Sequence, residues 1–253
     1  MQIVIIGTGN TATVLGIKLK EAGNTIVQVY GRNAATATAL AEKLQSQPCN
    51  DFNSLTKNAD LYIVAVADKA LPEVAAQLPL KDQLVVHTAG AVSINVLQNT
   101  STSYGVFYPY QTIRKEVSPL PEIPFFIDAS SAAAKETLLQ VAKTISQKVG
   151  VANDTERMQY HLCAVMTNNF SNYLYTLTEE YCKKNGLDFS NLLPLIDETA
   201  SRLHHFSPRT VQTGPAIRKD LPTIQHHLKL LENDPTLKEL YRFFSDQMIA
   251  FDW

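Results

Sequence analysis

Residues 2–12 read QIVIIGTGNTA, and this stretch decides the fold. Ile3–Ile6 is a continuous apolar run, which is typical of a strand covered on both faces of a parallel sheet. Glycines in the spacing GxGxxA follow at once, and a helical pattern begins at Asn10. A glycine-rich turn between a buried strand and a helix is typical of dinucleotide-binding βαβ units. The alternative is an ordinary strand–helix turn that binds no ligand.

Each position of this loop suits contact with a pyrophosphate. Gly7 permits a tight turn, Gly9 lets the backbone approach the phosphates, and Ala12 is small enough for the helix to pack on the strand. The N–H groups of the first helical turn and the helix dipole then face the phosphates. The predicted cofactor contacts are therefore Gly7, Thr8, Gly9, Asn10, Thr11 and Ala12.

The segment after the second predicted strand, Thr25–Tyr30, discriminates between dinucleotides. An NAD site usually carries an acid there that binds the ribose 2′-hydroxyl, whereas this chain has Gly31, Arg32 and Asn33. A guanidinium can bind a 2′-phosphate that a carboxylate would repel, so Arg32 and Asn33 favour NADP over NAD. The missing acid also argues against S-adenosylmethionine. A solvated turn arginine without a ligand is the alternative for Arg32.

Strand-like and helix-like segments alternate through the first 150 residues. This rhythm predicts an α/β fold with a doubly wound, mostly parallel Rossmann sheet. The predicted strands are Ile3–Ile6, Thr25–Tyr30, Leu61–Val66, Leu84–His87, Tyr104–Tyr108 and Phe125–Ile127, and the predicted helices are Asn10–Ala22, Ala34–Gln45, Leu71–Leu78 and Ala132–Gln147. We predict that residues 1–150 form an NADP-binding domain.

Strand signals disappear after about residue 150, which predicts a smaller, all-helical domain over residues 151–253 for substrate binding and dimerisation. One long helix runs from Asp154 to about Lys184, where Gly186 ends it, and its apolar residues spread over more than one stripe. Such a helix is buried on several sides, either within its own chain or by the partner in a homodimer. Further helices are predicted at Leu192–Leu203, at Leu221–Glu232 with Asp220 as its cap, and from Asp234 onward.

Composition excludes several classes of protein. The 253 residues include 22 basic and 24 acidic side chains, so the net charge of −2 does not favour nucleic acid or an anionic membrane. No apolar run approaches the ~18 residues of a membrane span, and the first residues lack the cationic flank of a signal peptide. Three widely spaced cysteines form neither a disulfide framework nor a zinc pattern. We expect a soluble, cytoplasmic protein that binds neither nucleic acid nor membranes.

Residues at the carboxyl ends of the later strands are expected to line the cofactor's path, because ligands bind at that edge of open parallel sheets. The first of these ends reads AVAD, and its small side chains leave room for ribose or nicotinamide, although short loops often carry such residues without a ligand. The next reads HTAG, so His87 faces the nicotinamide or the substrate, or is a hydrogen-bonded, half-buried histidine. The segment FYPYQT places Tyr108 in the same cleft. The predicted cofactor contacts here are Val66, Ala67 and Asp68.

Five motifs together resemble one family: GTGNTA, the arginine after the second strand, HTAG, GVFYPYQT and TGPAIRKD. It is the two-domain NADP oxidoreductase family, sometimes described as deazaflavin-dependent, with a Rossmann-like domain and a C-terminal helical domain of unknown function. The chain is more distantly similar to pyrroline-5-carboxylate reductases and to the 6-phosphogluconate dehydrogenase-like superfamily. The resemblance implies NADP binding, an active site between the domains and dimerisation through the helical domain. Relatives often have His-Pro where this chain has Tyr108-Pro109, so a role of that histidine does not transfer directly.

The long helix carries a candidate polar line. His161, Asn168 and Asn172 are spaced i, i+7, i+11, which on a regular helix places them within about 20° of one another. His161 could protonate a carbonyl or imine product, and Asn168 could orient the substrate. A helix–helix hydrogen-bond network or a dimer seam is the alternative. Arg218 could clamp a substrate carboxylate, or it pairs with Asp220 or the long helix.

These residues predict an NADP(H)-dependent oxidoreductase that transfers hydride to or from a small carbonyl, imine or hydroxy-acid metabolite. The alternative is an NADP(H)-binding sensor or interaction module without turnover. The candidate catalytic residues are His161, Asn168, His87, Tyr108 and Arg218. The adjacent histidine pairs, at 204–205 and 226–227, point about 100° apart on a helix and cannot form a metal site, so no catalytic metal is expected.

Overall fold

A computed structural model describes residues 1–117, 119 and 121–253. These residues divide into two compact units, Met1–Val165 and Met166–Trp253. Within the described part of the chain, no helix has the length and apolar character needed to cross a membrane, and no three potential metal ligands come together. The three cysteines are free thiols. The cytoplasmic location remains a prediction.

One sheet forms the framework of the first unit. Its strands are β1 (Gln2–Ile6), β2 (Thr25–Tyr30), β3 (Gln47–Cys49), β4 (Leu61–Val64), β5 (Leu84–His87), β6 (Tyr104–Pro109), β7 (Phe125–Ala129) and β8 (Val149–Val151). They lie in the order β3-β2-β1-β4-β5-β6-β7-β8, and β6 with β7 is the antiparallel pair among otherwise parallel neighbours. The predicted Rossmann-like, mostly parallel sheet is confirmed.

The helices of this unit are α1 (Asn10–Glu21), α2 (Ala34–Leu44), α3 (Leu71–Gln77), α4 (Ala132–Lys143) and α5 (Asp154–Ala164). Side chains of α1, α2 and α4 belong to one hydrophobic cluster of the sheet, and those of α3 belong to the other. The strand β1 is buried on both sides, as its apolar run predicts. Ile3 and Ile5 belong to one hydrophobic cluster, while Val4 and Ile6 belong to another. Burial of each such side chain contributes about 1.5–3 kcal/mol, so this strand anchors the glycine loop that follows it.

The second unit is helical, with α6 (Phe170–Lys184), α7 (Leu193–Ser201), α8 (Leu221–Leu230) and α9 (Pro235–Ala250). Asp220 caps α8 as predicted, because its side chain accepts a hydrogen bond of 3.2 Å from the Thr223 N–H. The predicted helix from Asp154 to about Lys184 is helical over its whole length, but it is not regular. A π-helical turn, Val165–Asn169, separates α5 from α6. Its wider i→i+5 turns break the regular 100° spacing, so the predicted line of His161, Asn168 and Asn172 does not hold.

Candidate active site

The glycine loop after β1 has a conformation that its first glycine makes possible. Gly7 has a φ of +126°, in the region that glycine adopts most readily. A Cβ atom at Gly7 would lie 2.2 Å from the carbonyl oxygen of Ala65, a contact that no side chain tolerates. The Gly7 N–H donates to the carbonyl of Tyr30 at 2.8 Å. The loop is therefore held tightly between β2 and the end of β4.

The N-terminus of α1 is open toward an anion. Gly9 is its N-cap and provides no side-chain hydrogen bond, and the first turn of α1 contains no acidic residue. A Cβ atom at Gly9 would meet no described atom within 4 Å. The N–H groups at the start of a helix lack intrahelical acceptors, and the helix dipole adds partial positive charge there. These residues fit a pyrophosphate, since free N–H groups and open space coincide.

A cavity of about 330 Å³ extends from this loop past the end of β2. Its volume lies at the lower end of the range for ligand pockets. The predicted cofactor residues that line it are Gly7, Thr8, Gly9, Arg32, Asn33, Val66 and Ala67, together with the aromatic ring of Phe52. Asn10, Thr11 and Asp68 lie outside this lining, and Ala12 is fully buried in the core, where it packs as predicted.

Arg32 stands exposed at the edge of this cavity. Its guanidinium forms no hydrogen bond or ion pair with the part of the chain that the structure describes, so its donors are available to a ligand. The neighbouring Asn33 is already in use as the N-cap of α2, where its side chain accepts from the Thr36 N–H at 3.1 Å. Arg32 is thus better placed than Asn33 to bind a 2′-phosphate.

A tyrosine and a histidine meet near the carboxyl end of β5. The Tyr108 hydroxyl of β6 lies 3.4 Å from Nδ1 of His161 on α5. Gly90 packs against both side chains: a Cβ there would lie 2.6 Å from Cζ of Tyr108 and 3.0 Å from Nδ1 of His161. The motif HTAG contains this glycine, but the sequence does not show why a glycine is needed there. The structure does, because a side chain at this position would collide with the two rings.

The hydroxyl of Tyr108 stays protonated at neutral pH. Burial first, and then the nearby Tyr110 and Asp68, raise the pKa of Tyr108 to about 12. A neutral phenol can donate to Nδ1 of His161. In the neutral ring this bond favours the tautomer whose proton is on Nε2, whereas in the imidazolium Nδ1–H donates to the Tyr108 hydroxyl oxygen.

His87 is hydrogen-bonded and buried, which is closer to the second of the two alternatives given for it above. Its ring is 0% exposed, so it is enclosed rather than open to a nicotinamide or substrate. Its Nδ1 accepts from the Ala89 N–H at 3.2 Å. Burial, and next the charge of Arg157, lower the pKa of His87 to about 4, so the ring is neutral at pH 7. These observations favour a role in supporting the loop after β5 over proton donation.

Aromatic contacts fix the helix that carries His161. The Tyr110 hydroxyl donates to the backbone carbonyl of Tyr160 at 2.8 Å. The rings of Tyr160 and Phe126 stack with their centroids 4.3 Å apart. Because His161 is the next residue, these contacts of Tyr160 with β7 and the end of β6 also restrict where the imidazole can lie.

The other two predicted catalytic residues belong to the second unit. Asn168 is exposed in the π-helical turn, and Arg218 is exposed in the segment before α8. Among the described residues Arg218 forms no ion pair, and its charge is a lesser cause of the low pKa of Asp220, after the hydrogen bonds from Thr223. The roles of Asn168 and Arg218 remain predictions.

Comparisons with known proteins agree with this geometry. Residues 2–90 match the family model described as coenzyme F420-dependent NADP oxidoreductase, and residues 123–248 match a domain of unknown function, DUF2520. The crystal structure of a putative NADP oxidoreductase from Bacteroides fragilis is 42% identical, covers 99% of this chain and 98% of its own, and superposes with a TM-score of 0.91. The chain belongs to this family of NADP oxidoreductases. The predicted cofactor, NADP, and the predicted class of enzyme are confirmed.

More distant structures share the fold. A Thermotoga maritima protein is 22% identical, with a TM-score of 0.79, and the alignment covers 98% of this chain and 100% of that one. A 1-pyrroline-5-carboxylate reductase from Streptococcus pyogenes is 17% identical, with a TM-score of 0.66 and 99% of both chains covered. Among curated proteins, none matches this sequence.

Proposed function

We propose that this NADP oxidoreductase transfers hydride to or from a small carbonyl, imine or hydroxy-acid metabolite, with His161 as the proton donor in the reductive direction. The observation that carries the proposal is the Tyr108–His161 contact of 3.4 Å beside Gly90. The strands β1, β4, β5 and β6 run parallel, so the glycine loop and Gly90 follow strands that end at the same edge of the sheet. When bound, the nicotinamide of NADPH supplies the hydride.

The chain's own residues then have distinct tasks in the proposal. The N–H groups of Asn10 and Thr11 and the backbone at Gly9 bind the pyrophosphate, and Arg32 binds the 2′-phosphate. The imidazolium form of His161 delivers its Nε2 proton to the substrate heteroatom and becomes neutral, while the Tyr108 hydroxyl oxygen accepts from Nδ1–H and holds the ring in position. We assign further contacts with the cofactor to Val66, Ala67 and Asp68. We assign contacts with the substrate to Asn168 and Arg218.

Turnover of a defined panel tests this proposal. NADPH oxidation is followed with cyclic imines, including 1-pyrroline-5-carboxylate, which the Streptococcus pyogenes relative is named for. The panel also contains ketones and coenzyme F420, which the family model names, and hydroxy acids are tested with NADP⁺ in the reverse direction. We expect one of these classes to react. Tight NADPH binding without reaction of any panel member would contradict the proposal and favour a sensor.

Replacing Arg32 should change the choice of cofactor. We expect Arg32→Ala to weaken NADPH binding roughly 10- to 100-fold, since a hydrogen-bonded charged group is worth about 1.5–3 kcal/mol, and to leave NADH binding unchanged. Calorimetric titration with each nucleotide measures both affinities. Lys69→Ala is the matched control, because Lys69 is an exposed cation that does not line the cavity. An unchanged preference for NADPH in Arg32→Ala would assign the 2′-phosphate to other residues.

We further propose that residues 151–253 provide the dimer interface. In the second unit the described buried apolar side chains are few: Cys182, Ala216, Ile224, Leu228 and Leu231. Many large apolar residues are exposed instead, among them Leu193, Leu195, Leu203, Phe206, Phe243 and Phe244. Exposed apolar surface on this scale is typical of an interface, and a second copy presents the same surface.

Light scattering tests the proposed dimer. We expect a mass of twice the 28.0 kDa of one chain at micromolar concentration. Leu195→Asp, at a position 62% exposed, should shift the population toward the monomer, because a buried unpaired carboxylate opposes association. Val117→Asp is the control on the first unit, since Val117 is also an exposed apolar residue. A monomeric wild-type protein would contradict the proposal.

A further inference from the structure

Arg157 is a buried cation with a defined set of contacts. Its side chain is 1% exposed on α5, and its Nη2 lies 2.5 Å from Oδ1 of Asp154. The same nitrogen donates to the carbonyl of Val92 at 2.7 Å. Nε and Nη1 are buried and have no acceptor among the described residues. A guanidinium is costly to bury, so this arrangement persists only because its ion pair and backbone contact offset the loss of hydration.

These contacts fasten the loop after β5 to the first turn of α5. Asp154, the partner of Arg157, also accepts from the Ile94 N–H at 3.0 Å and hydrogen-bonds the side chain of Ser93. Val92, Ser93 and Ile94 are thus held at three successive positions. The loop cannot move away from the helix without breaking charge-assisted hydrogen bonds, which are the stronger class.

The same loop carries Gly90, and the same helix carries His161; both residues pack against Tyr108 of β6. Gly90 lies two residues before Val92 and packs against both rings. His161 lies four residues after Arg157, which places the two side chains on one face of α5. The contact between Arg157 and Val92 therefore joins the two elements whose separation determines how Gly90 meets the imidazole.

We propose that Arg157 is a positioning residue of this oxidoreductase: its guanidinium ties the loop after β5 to α5 and so sets the place of the His161 imidazole against Gly90 and Tyr108. The inference rests on the proposed role of His161. The charge of Arg157 also reaches the site, since it helps to keep the pKa of His87 low and opposes the rise in the pKa of Tyr108.

Two variants of the full-length protein test the proposal with NADPH present. Arg157→Met removes the charge and the hydrogen bonds, and Arg157→Lys keeps the charge. In Arg157→Met we expect the ring ¹⁵N signals of His161 to move toward the average of the two tautomers. We also expect kcat to fall roughly 10- to 100-fold with an unchanged KM for NADPH, as misplacement by about 1 Å produces. Arg157→Lys should recover part of both losses.

Lys135→Met is the matched control, because it removes the ion pair of 3.5 Å with Asp128 in the same unit and leaves both readouts unchanged. If Arg157→Met does not fold, Asp154→Asn gives the weaker form of the same change and should move both readouts in the same direction. A folded variant with wild-type His161 signals and kcat would overturn the proposal. Altered His161 signals without loss of kcat would instead overturn the role of His161 as proton donor, and the ¹⁵N spectra need no substrate.

Discussion

Gly9→Ala will lose tight NADPH binding and keep its stability, whereas Gly7→Ala will be strongly destabilised. At Gly9 the backbone is extended, with φ of −79° and ψ of −172°, which alanine adopts freely, and its Cβ would enter open space. That space is where we place the pyrophosphate, so a methyl group there obstructs the ligand alone. We expect NADPH affinity to fall at least roughly tenfold, a cost of about 1.4 kcal/mol or more.

Gly7→Ala combines two penalties. Its φ of +126° strains any residue with a side chain, and its Cβ would lie 2.2 Å from the Ala65 carbonyl oxygen. We expect a loss of about 4 kcal/mol or more, which is exceptional for one substitution and a large part of typical domain stability. Thermal unfolding without cofactor measures it.

Gly23→Ala separates the two penalties at Gly7. Gly23 also has a positive φ, +86°, but its Cβ would meet nothing within 4 Å. It should therefore lose only about 1 kcal/mol, the cost of the backbone conformation alone. Equal losses at Gly7 and Gly23 would exclude the steric contact as the cause. Wild-type NADPH affinity in Gly9→Ala would exclude this loop as the pyrophosphate site.

The sheet and its cofactor loop could be predicted because their signals are local. A continuous apolar run such as Ile3–Ile6 predicts a strand that is buried on both faces. The glycine spacing determines the conformation of a single strand–helix turn. The strands β3 and β8 were missed because each has three residues, and their pairing depends on a neighbouring strand rather than on their own pattern. Between β6 and β7 the described residues form no crossover helix, which parallel strands usually require, and β7 pairs antiparallel to β6.

The candidate catalytic residues were harder to predict because their environment is set by distant parts of the chain. The position of His87 at a strand end was predicted correctly, but its complete burial has no local signal, and its low pKa depends partly on the charge of Arg157 of α5. The π-helical turn was not predicted because a wide turn and burial on several sides both spread the apolar residues of a helix over more than one stripe. In the sequence, Arg157 is a charged residue near the start of a predicted helix, and no pattern around it indicates that it is buried.

His161→Gln should lower kcat more than any other single change at the site. A positioned general acid contributes roughly 100- to 10,000-fold, so we expect a loss of at least roughly 100-fold in the reductive direction. The affinity for NADPH should stay the same, because the cofactor contacts proposed above lie at the glycine loop and Arg32. Single-turnover kinetics together with calorimetry separate the two quantities.

Tyr108→Phe distinguishes which of the two rings delivers the proton. If Tyr108 only orients the imidazole, its loss should reduce kcat roughly tenfold, the scale of about 1.4 kcal/mol for one neutral hydrogen bond. With a pKa of about 12, its hydroxyl holds its proton throughout the neutral range, so it is a weak acid suited to orientation. Tyr62→Phe, which loses the 2.8 Å bond from a β4 tyrosine hydroxyl to the Thr56 carbonyl and has no role assigned at the site, is the control and should change kcat little. A larger loss in Tyr108→Phe than in His161→Gln would make the tyrosine the donor and reduce His161 to its support.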